Sequence, residues 1–377
     1  MIRKFITLVT LAVFLWLLWS FSGRNTPLNE PKSYISVIEE INPSDSLKRN
    51  IVGIQPYMEV SDYFSQIIFK EKIRQYLVAA NGKSFIKKNT LVIYPEHIGT
   101  WLLLLDEKHN LAEKKTLSEA MRIIAFSNAF DFFLGYLKTS DEANTEISSI
   151  IRMKAKSMLR VYFETFRDLA IETGTHIVAG SILLPEPSVV DGEIYLKLDG
   201  PLYNASFLFG PDGKVVGTPI LKSFPNSTED SYTSAGDPTK SQVFDLPFGR
   251  TVIMLCDDSW HNQTYENAIN DAAEIIVGSS FYAGNQTMNS KWTGYDGKTS
   301  PKNLDLEDVG KLSTKEAWEK YSLPEQIKHT KADVAFNVFF RGDLWDLGPA
   351  GQPLVVLNNK SLPITPAGKG GIWSLNY

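Results

Sequence analysis

The chain has 377 residues, of which 43% are hydrophobic and 12% aromatic, enough for one large or two ordinary packed domains. Its net charge of −5 grows more negative once residues 1–24 are set aside, since they hold Arg3, Lys4 and Arg24 and no acid. An acidic body argues against nucleic acid as a partner, and a single cysteine excludes an internal disulfide.

Met1-Ile2-Arg3-Lys4 is basic, and Phe5 to Gly23 carries no charge. Residues 1–23 therefore read as a membrane segment. One form is an uncleaved signal anchor, basic end inside and body across the membrane. The other is a cleavable signal peptide with Ser20-Phe21-Ser22 before Gly23. Both place the body outside the cytoplasm, periplasmic or extracellular, and cleavage would release it as a secreted protein. No cysteine follows closely, so a bacterial lipoprotein anchor is excluded. Residues 24–48 are polar, with Pro27, Pro31 and Pro43, and read as a linker. The remaining 49–377 form the body. Sequons stand at Asn204, Asn226, Asn262, Asn285 and Asn359; they matter only in a host that glycosylates.

Asn50–Gln55 reads as a short first strand. Ser61–Ala80 has helical spacing, and Leu91–Tyr94 is the next strand. Trp101–Ser148 reads as mostly helical; Trp101 to Leu105 at its start suits either a core helix turn or an apolar pocket wall. Ser149–Glu172 is a strong helix ending near Gly174, and His176–Leu184 a buried strand. Glu193–Leu198 and Tyr203–Phe209 look like paired strands, and Pro211-Asp212-Gly213-Lys214 is a tight turn into the strand starting at Val215. A hairpin turn near Pro247 leads into Thr251–Cys256. Glu266–Ala273 is a helix and Glu274–Gly278 a strand. Residues 283–314 read as a long loop, and such loops inside compact domains are usually functional or disordered. Glu316–His329 is helical despite Pro324, and strands follow at Ala332–Phe340 and Leu354–Leu357. Alternating strands and helices with inserted hairpins give one α/β domain, expected as two sheets each covered by helices.

Three apolar runs end in chemistry-bearing residues. Thr251-Val252-Ile253-Met254-Leu255 delivers Cys256 to a strand's carboxyl end, where α/β active sites are built. Leu91-Val92-Ile93-Tyr94-Pro95 ends in Glu96, and the Phe207–Leu221 stretch is followed by Lys222. A thiol, a carboxylate and a cation are the parts of a nucleophilic acyl-transfer site. Each alone has a plainer reading: Cys256 as a small buried hydrophobe, Glu96 as a surface or helix-start acid, Lys222 as a solvated lysine. His97 and His261 flank the same stretches and keep a Cys–His hydrolase open, although a structural role suits each. No His-x-x-His, Cys-x-x-Cys, His-Glu-x-x-His, P-loop or dinucleotide pattern occurs, so no metal or cofactor is called for.

In that order and context the runs resemble the nitrilase superfamily of carbon–nitrogen hydrolases, over about residues 50–377. Leu91–Glu96 resembles the family's strand ending in Pro-Glu. Asn204–Gly217 resembles the hairpin ahead of its lysine, and Ala235-Gly236-Asp237 with Phe244–Asp258 the approach to its nucleophile. Gln326–Phe340 and Gly342–Val356 resemble the elements beyond. The resemblance implies a four-layer α-β-β-α sandwich, often paired into homodimers, here with an N-terminal membrane segment. It implies Cys256 as nucleophile, Glu96 as general base, Lys222 as oxyanion stabiliser aided by the Asp257 backbone N–H, and Glu229 as a substrate- or water-positioning acid.

The sequence departs from the pattern in places. Asp257 stands where an aromatic is usual, Trp260-His261-Asn262 replaces a Phe-Pro-Glu-like segment, and Leu221-Lys222 lacks the common Arg-Lys pair. Stretches 101–148 and 284–315 are long and are expected to wall the pocket. The implied function is an exported hydrolase cleaving a non-peptide, small-molecule amide through a cysteine thioester. An amide is preferred to a nitrile because no Cys-Trp-Glu follows the strand. An N-acyltransferase using an amine in place of water, and a catalytically silent binding protein of the same fold, are the alternatives.

Overall fold

In the computed structural model, residues 1–44, 46–139, 142–283 and 288–377 are described. The Asn285 sequon and the start of the 284–315 insertion lie outside the described residues. Runs of β-branched and apolar residues build two main sheets. The first has seven strands in the order Ile35–Ile41, Gly370–Asn376, Asn50–Gln55, Thr90–Ile93, His176–Pro185, Leu202–Phe209, Val215–Leu221. The second has six: Val243–Leu246, Gly249–Leu255, Ile275–Ser280, Val334–Phe339, Leu354–Leu357, Lys360–Ser361. Parallel strands lie at the centre of each sheet: Asn50–Gln55, Thr90–Ile93 and His176–Pro185 in one, Gly249–Leu255, Ile275–Ser280 and Val334–Phe339 in the other.

Strand alternation sorts side chains between two interfaces. Ile51, Leu91, Ile93 and Val178 meet Ile253, Val277, Phe336 and Val338 in a core between the sheets. Val52, Ile54 and Val92 face outward onto Phe69, Ile73, Tyr162 and Phe166, carried by helices Gln66–Gly82 and Thr145–Thr173. Val252, Met254 and Ile276 face Ala268, Leu323 and Ile327 on the short helical pieces that cover the second sheet. This is the four-layer α-β-β-α sandwich.

Several expectations change. Residues 24–48 are not only a linker: Ile35–Ile41 pairs in parallel with Gly370–Asn376, so the first sheet begins before residue 49. Glu193–Leu196 pairs with Pro187–Val190 as a separate ribbon, while Leu202–Phe209 pairs with His176–Pro185. The 101–148 stretch divides into 3-10 turns Thr100–Leu104 and His109–Glu113, helices Leu117–Ser127 and Ala129–Tyr136, and the start of Thr145–Thr173. The 316–329 helix breaks at Ser322, which is extended, with Pro324 starting the next piece where its missing N–H costs nothing.

Ile2–Phe21 is one helix of 20 residues with mean hydropathy 1.9 and almost no burial, long enough to cross a bilayer core of roughly 30 Å. Lys108 Nζ caps its last carbonyls, donating to Trp19 O at 2.5 Å and Ser22 O at 2.6 Å. Arg24 follows and donates to Asp106 O and Asn128 Oδ1 at 2.9 and 3.0 Å, with Glu107 at 3.4 Å.

Candidate active site

The carboxyl ends of the central strands of both sheets meet at one place. Ser279 Oγ, on the second sheet, donates to Tyr94 O of the first at 2.7 Å, fixing the two sheets against each other just ahead of Glu96. Gly180 makes room for that turn. It has φ +64°, and a Cβ there would lie 2.1 Å from Pro95 O, so any larger residue pushes the backbone that carries Glu96. The ladder between His176–Pro185 and Leu202–Phe209 is irregular over the same residues. Past it, Ser181 Oγ accepts the His97 N–H at 2.8 Å, and His97 itself adopts φ +60°.

Glu96, Lys222 and Glu229 are buried within a few per cent of completely. Lys222 Nζ lies 3.1 Å from Glu96 Oε1, 2.5 Å from Glu229 Oε2 and 2.9 Å from Asp257 Oδ2. Asn204 Nδ2 donates to Glu96 Oε1 at 2.9 Å and to Glu229 Oε1 at 3.0 Å. His97 Nε2 lies 3.0 Å from Glu229 Oε1, and its Nδ1 lies 3.0 Å from Thr100 Oγ1. Nε2–H donates to the Glu229 carboxylate, and the Thr100 hydroxyl pairs with Nδ1. Glu96 Oε2 is buried with no hydrogen-bond partner among the described residues.

Cys256 follows the strand Gly249–Leu255 and opens the 3-10 turn Cys256–Trp260. Its φ is +45°, a left-handed conformation costly for a residue with a Cβ. The sharp turn lifts the thiol off the strand end. Sγ donates weakly to Phe281 O at 3.4 Å, and the charges of Asp257, Glu96 and Lys222 act on it. All five residues expected from the sequence thus gather at one spot.

One ammonium serves three carboxylates, and their proton affinities divide. Burial raises Glu229, but Lys222 and the hydrogen bond from His97 outweigh it and hold its carboxyl far below the usual range. Burial dominates for Glu96, which is raised despite Lys222, and for Asp257. Burial disfavours the Lys222 charge, yet Asp257, Glu229 and Glu96 together hold its pKa well above that of a free lysine. Burial pushes the Cys256 thiol up, and Asp257 and Glu96 add to it. Glu229 is therefore the standing counter-ion of Lys222, while burial opposes the charges of Glu96 and Asp257. Glu96, His97 and Glu229 also bring donor atoms within 4.8 Å of one another. Lys222 already supplies positive charge to both of these carboxylates.

A cavity of about 730 Å³ opens onto this group. Cys256, Asp257 and Glu229 line it; the walls include Trp101, Leu103, Leu117 and Met121 from one insertion and Trp292 and Tyr295 from the other. Glu96 and Lys222 sit beneath the lining.

Sequence reasoning missed the supports that Asn204 and Asp258 give, and named His261 as structural. Asn204, counted as a sequon, is 2% exposed and joins the two glutamates, so it is no glycosylation acceptor in the folded chain. Asp258 Oδ1 accepts the N–H groups of Ser223 and Phe224, both at 2.9 Å, clasping the segment after Lys222 to the turn after Cys256. Burial nevertheless pushes Asp258 up to about 7. His261 stacks on Phe224 with centroids 3.6 Å apart and meets the Tyr295 hydroxyl at 2.8 Å; burial lowers it to about 4. It is thereby held neutral behind Tyr295, which lines the cavity.

Residues 93–294, more than half of the chain, match the family described as Carbon-nitrogen hydrolase. The chain belongs to that family. Its fold is also that of solved nitrilase-superfamily structures. A cysteine-to-alanine mutant of an amidase from Nesterenkonia AN1 superposes with a TM-score of 0.53 at 11% identity, covering 89% of this chain and 92% of that one. A variant of the same amidase, carrying the acetamide moiety of fluoroacetamide covalently at its active site cysteine, gives 0.54 at 12% identity, covering 89% and 92%. Over 115 residues the chain is 30% identical to "Probable hydrolase YhcX" of Bacillus subtilis (strain 168), a match taking in 30% of this chain and 20% of that protein.

Proposed function

We propose that this carbon-nitrogen hydrolase is an amidase that cleaves a non-peptide amide through a thioester on Cys256. The observation that carries the reading is one buried ammonium held by Glu96, Glu229 and Asp257 beside a thiol set on a strained strand-end turn. Glu96 Oε2 accepts the thiol proton as Sγ attacks the carbonyl carbon. The oxyanion forms toward Lys222 Nζ and the Asp257 backbone N–H, an electrostatic stabilisation in a water-poor site. Glu96 then gives its proton to the departing nitrogen, the C–N bond breaks, and the acyl group stays on sulfur. Water enters and Glu96 takes its proton as the oxygen attacks the acyl carbon; the C–S bond then breaks, Glu96 returns the proton to sulfur, and the carboxylic acid leaves. Glu229 keeps Lys222 charged and placed, and Asn204 ties both glutamates into one unit. Ile2–Phe21 would hold the body at the outer face of a membrane, or be removed on export.

The test is a panel of amides incubated with wild type and Cys256→Ala, following ammonia or amine release. Cys256-dependent release supports the reading; equal release by the Ala variant refutes it. Added hydroxylamine that diverts product to the hydroxamate reports the thioester. Preferential transfer to an added amine over water would assign an acyltransferase.

A further inference from the structure

Helix Ala129–Tyr136 is the least covered helix of the body. Of its residues only Gly135 is buried, while Phe130 is 68% exposed and Phe133 54%. Phe126 just before it and Leu137 just after it are 60% and 63% exposed, so one face presents a contiguous set of aromatic and aliphatic side chains to the outside. A water-facing surface seldom carries such a patch without a partner.

The N-terminal helix names the partner. Its last turns pack onto this same insertion: Trp16 Nε1 donates to Phe126 O at 3.1 Å, the Trp19 and Phe126 rings lie 5.4 Å apart, and Ser20 donates to Ser127 O. Lys108 and Arg24 clamp the helix end to the body beside them. A helix long and apolar enough to span a bilayer therefore leaves the body next to the exposed face. The patch would be continuous with whatever lipid surrounds that helix, and Trp16, Trp19 and Tyr136 are residue types that suit the headgroup level.

The back of the insertion is the wall of the active-site cavity. Leu117 and Met121 line it from helix Leu117–Ser127, and Ile147, Ile150 and Ile151 from the adjoining helix. We propose that the segment Leu117–Leu137 seats in the lipid–water interface and that the cavity behind it takes an amphiphilic amide with a long hydrocarbon chain, entering from the leaflet. The substrate half rests on the amidase reading. The cavity volume of about 730 Å³ lies within the range of sites that enclose drug-sized or larger ligands and far exceeds an acetamide-sized molecule.

The experiment uses the full chain reconstituted into phosphatidylcholine vesicles. An environment-sensitive fluorophore is placed at Phe133→Cys, in the Cys256→Ala background, with a control at Lys360→Cys on the edge of the second sheet. The probe at 133 should shift to the blue and be quenched by lipids spin-labelled near the headgroup, and the control should do neither. A solvent-exposed signal at 133, or one buried by cross-linked copies of the chain without lipid quenching, overturns the proposal. A second arm keeps Cys256 and compares wild type with Phe130→Ser/Phe133→Ser/Leu137→Ser. The variant should lose roughly 10-fold or more in turnover of a vesicle-borne amide of about 12–16 carbons, and keep its rate on a short soluble amide. Equal loss on both amides, or none on either, overturns it. If no amide of any length is turned over, the amidase reading fails; the quenching arm still decides the membrane seat by itself.

Discussion

Replacing Lys222 by Met removes the charge shared by three buried carboxylates and keeps most of the side-chain volume. Removing one partner of a buried ion pair costs about 3–5 kcal/mol, because the remaining charge is left without compensation. The upper part of that range applies here, since Glu229 at 2.5 Å, Asp257 at 2.9 Å and Glu96 at 3.1 Å all lose the same cation. The cost has a definite pH signature. In wild type the Glu229 carboxyl lies far below its unfolded value, so its contribution to stability is present above the unfolded pKa and is lost as pH falls through the folded one. Without Lys222 the carboxylates lose the cation that offsets burial, so Glu229 rises despite its hydrogen bonds from His97 and Asn204, and Glu96 and Asp257, already raised, rise further. The variant then loses stability as pH rises through the ordinary carboxylate range. The gap between the two proteins opens from about pH 4 to about pH 7 and closes in acid.

Urea unfolding of both proteins in one mild detergent, at about pH 7.5 and about pH 5, measures this. With m of roughly 3 kcal/mol/M, a loss of about 4–5 kcal/mol lowers the variant's midpoint by about 1.3–1.7 M at the higher pH and by much less at the lower. Adding Glu229→Gln to Lys222→Met should recover part of the loss, a coupling of about 1–3 kcal/mol expected of residues in one network. A loss of equal size at both pH values, or no recovery in the double variant, would mean that packing rather than charge sets the site's stability, and the electrostatic account would be wrong.

Glu96→Gln should lower turnover at least about 10²-fold, the usual worth of a proton-transfer group. It should not lower the unfolding midpoint at neutral pH, because burial already opposes the Glu96 charge; a marked destabilisation would point to a structural salt-bridge role. The acidic limb of kcat/KM should report Glu96, whose pKa is raised, and so lie above that of an ordinary glutamate; a limb at or below the free-glutamate value contradicts its role as base. Cys256→Gly should be more stable than Cys256→Ala by about 0.5–1 kcal/mol, since glycine removes the cost of the positive φ, with both inactive; calorimetry that ranks them in reverse denies the strain. Gly180→Ala should lower both stability and kcat, because its Cβ would meet Pro95 O at 2.1 Å. Unchanged kcat would show that the Glu96 turn tolerates displacement.

The central strands were legible because buried parallel strands read as unbroken apolar runs, as at Leu91–Tyr94 and Thr251–Leu255. Edge strands carry no such mark. Ile35–Ile41 includes Glu39 and Glu40, and its partner Gly370–Asn376 lies at the opposite end of the chain, beyond the reach of any local pattern. Glu96, Lys222 and Cys256 stood out by their places after strands. Asn204 did not, because an asparagine inside a strand is one of many polar residues until the neighbouring turn brings Glu96 and Glu229 to it. His97 was visible but unassignable: its role depends on a contact with Glu229, 132 residues away.

Two segments, unrelated when read along the chain, meet in space: Leu221-Lys222-Ser223-Phe224 and the Asp257-Asp258 pair after Cys256. Asp257 reaches Lys222 Nζ at 2.9 Å, and Asp258 accepts the next two backbone N–H groups, at Ser223 and Phe224. The first aspartate adds charge that holds the ammonium, and the second adds two hydrogen bonds that hold its backbone. Each carboxylate would be costly where it lies if the other segment were absent, since burial opposes both charges. The two segments therefore stabilise each other. Asp257 also adds to the upward push that burial gives the Cys256 thiol.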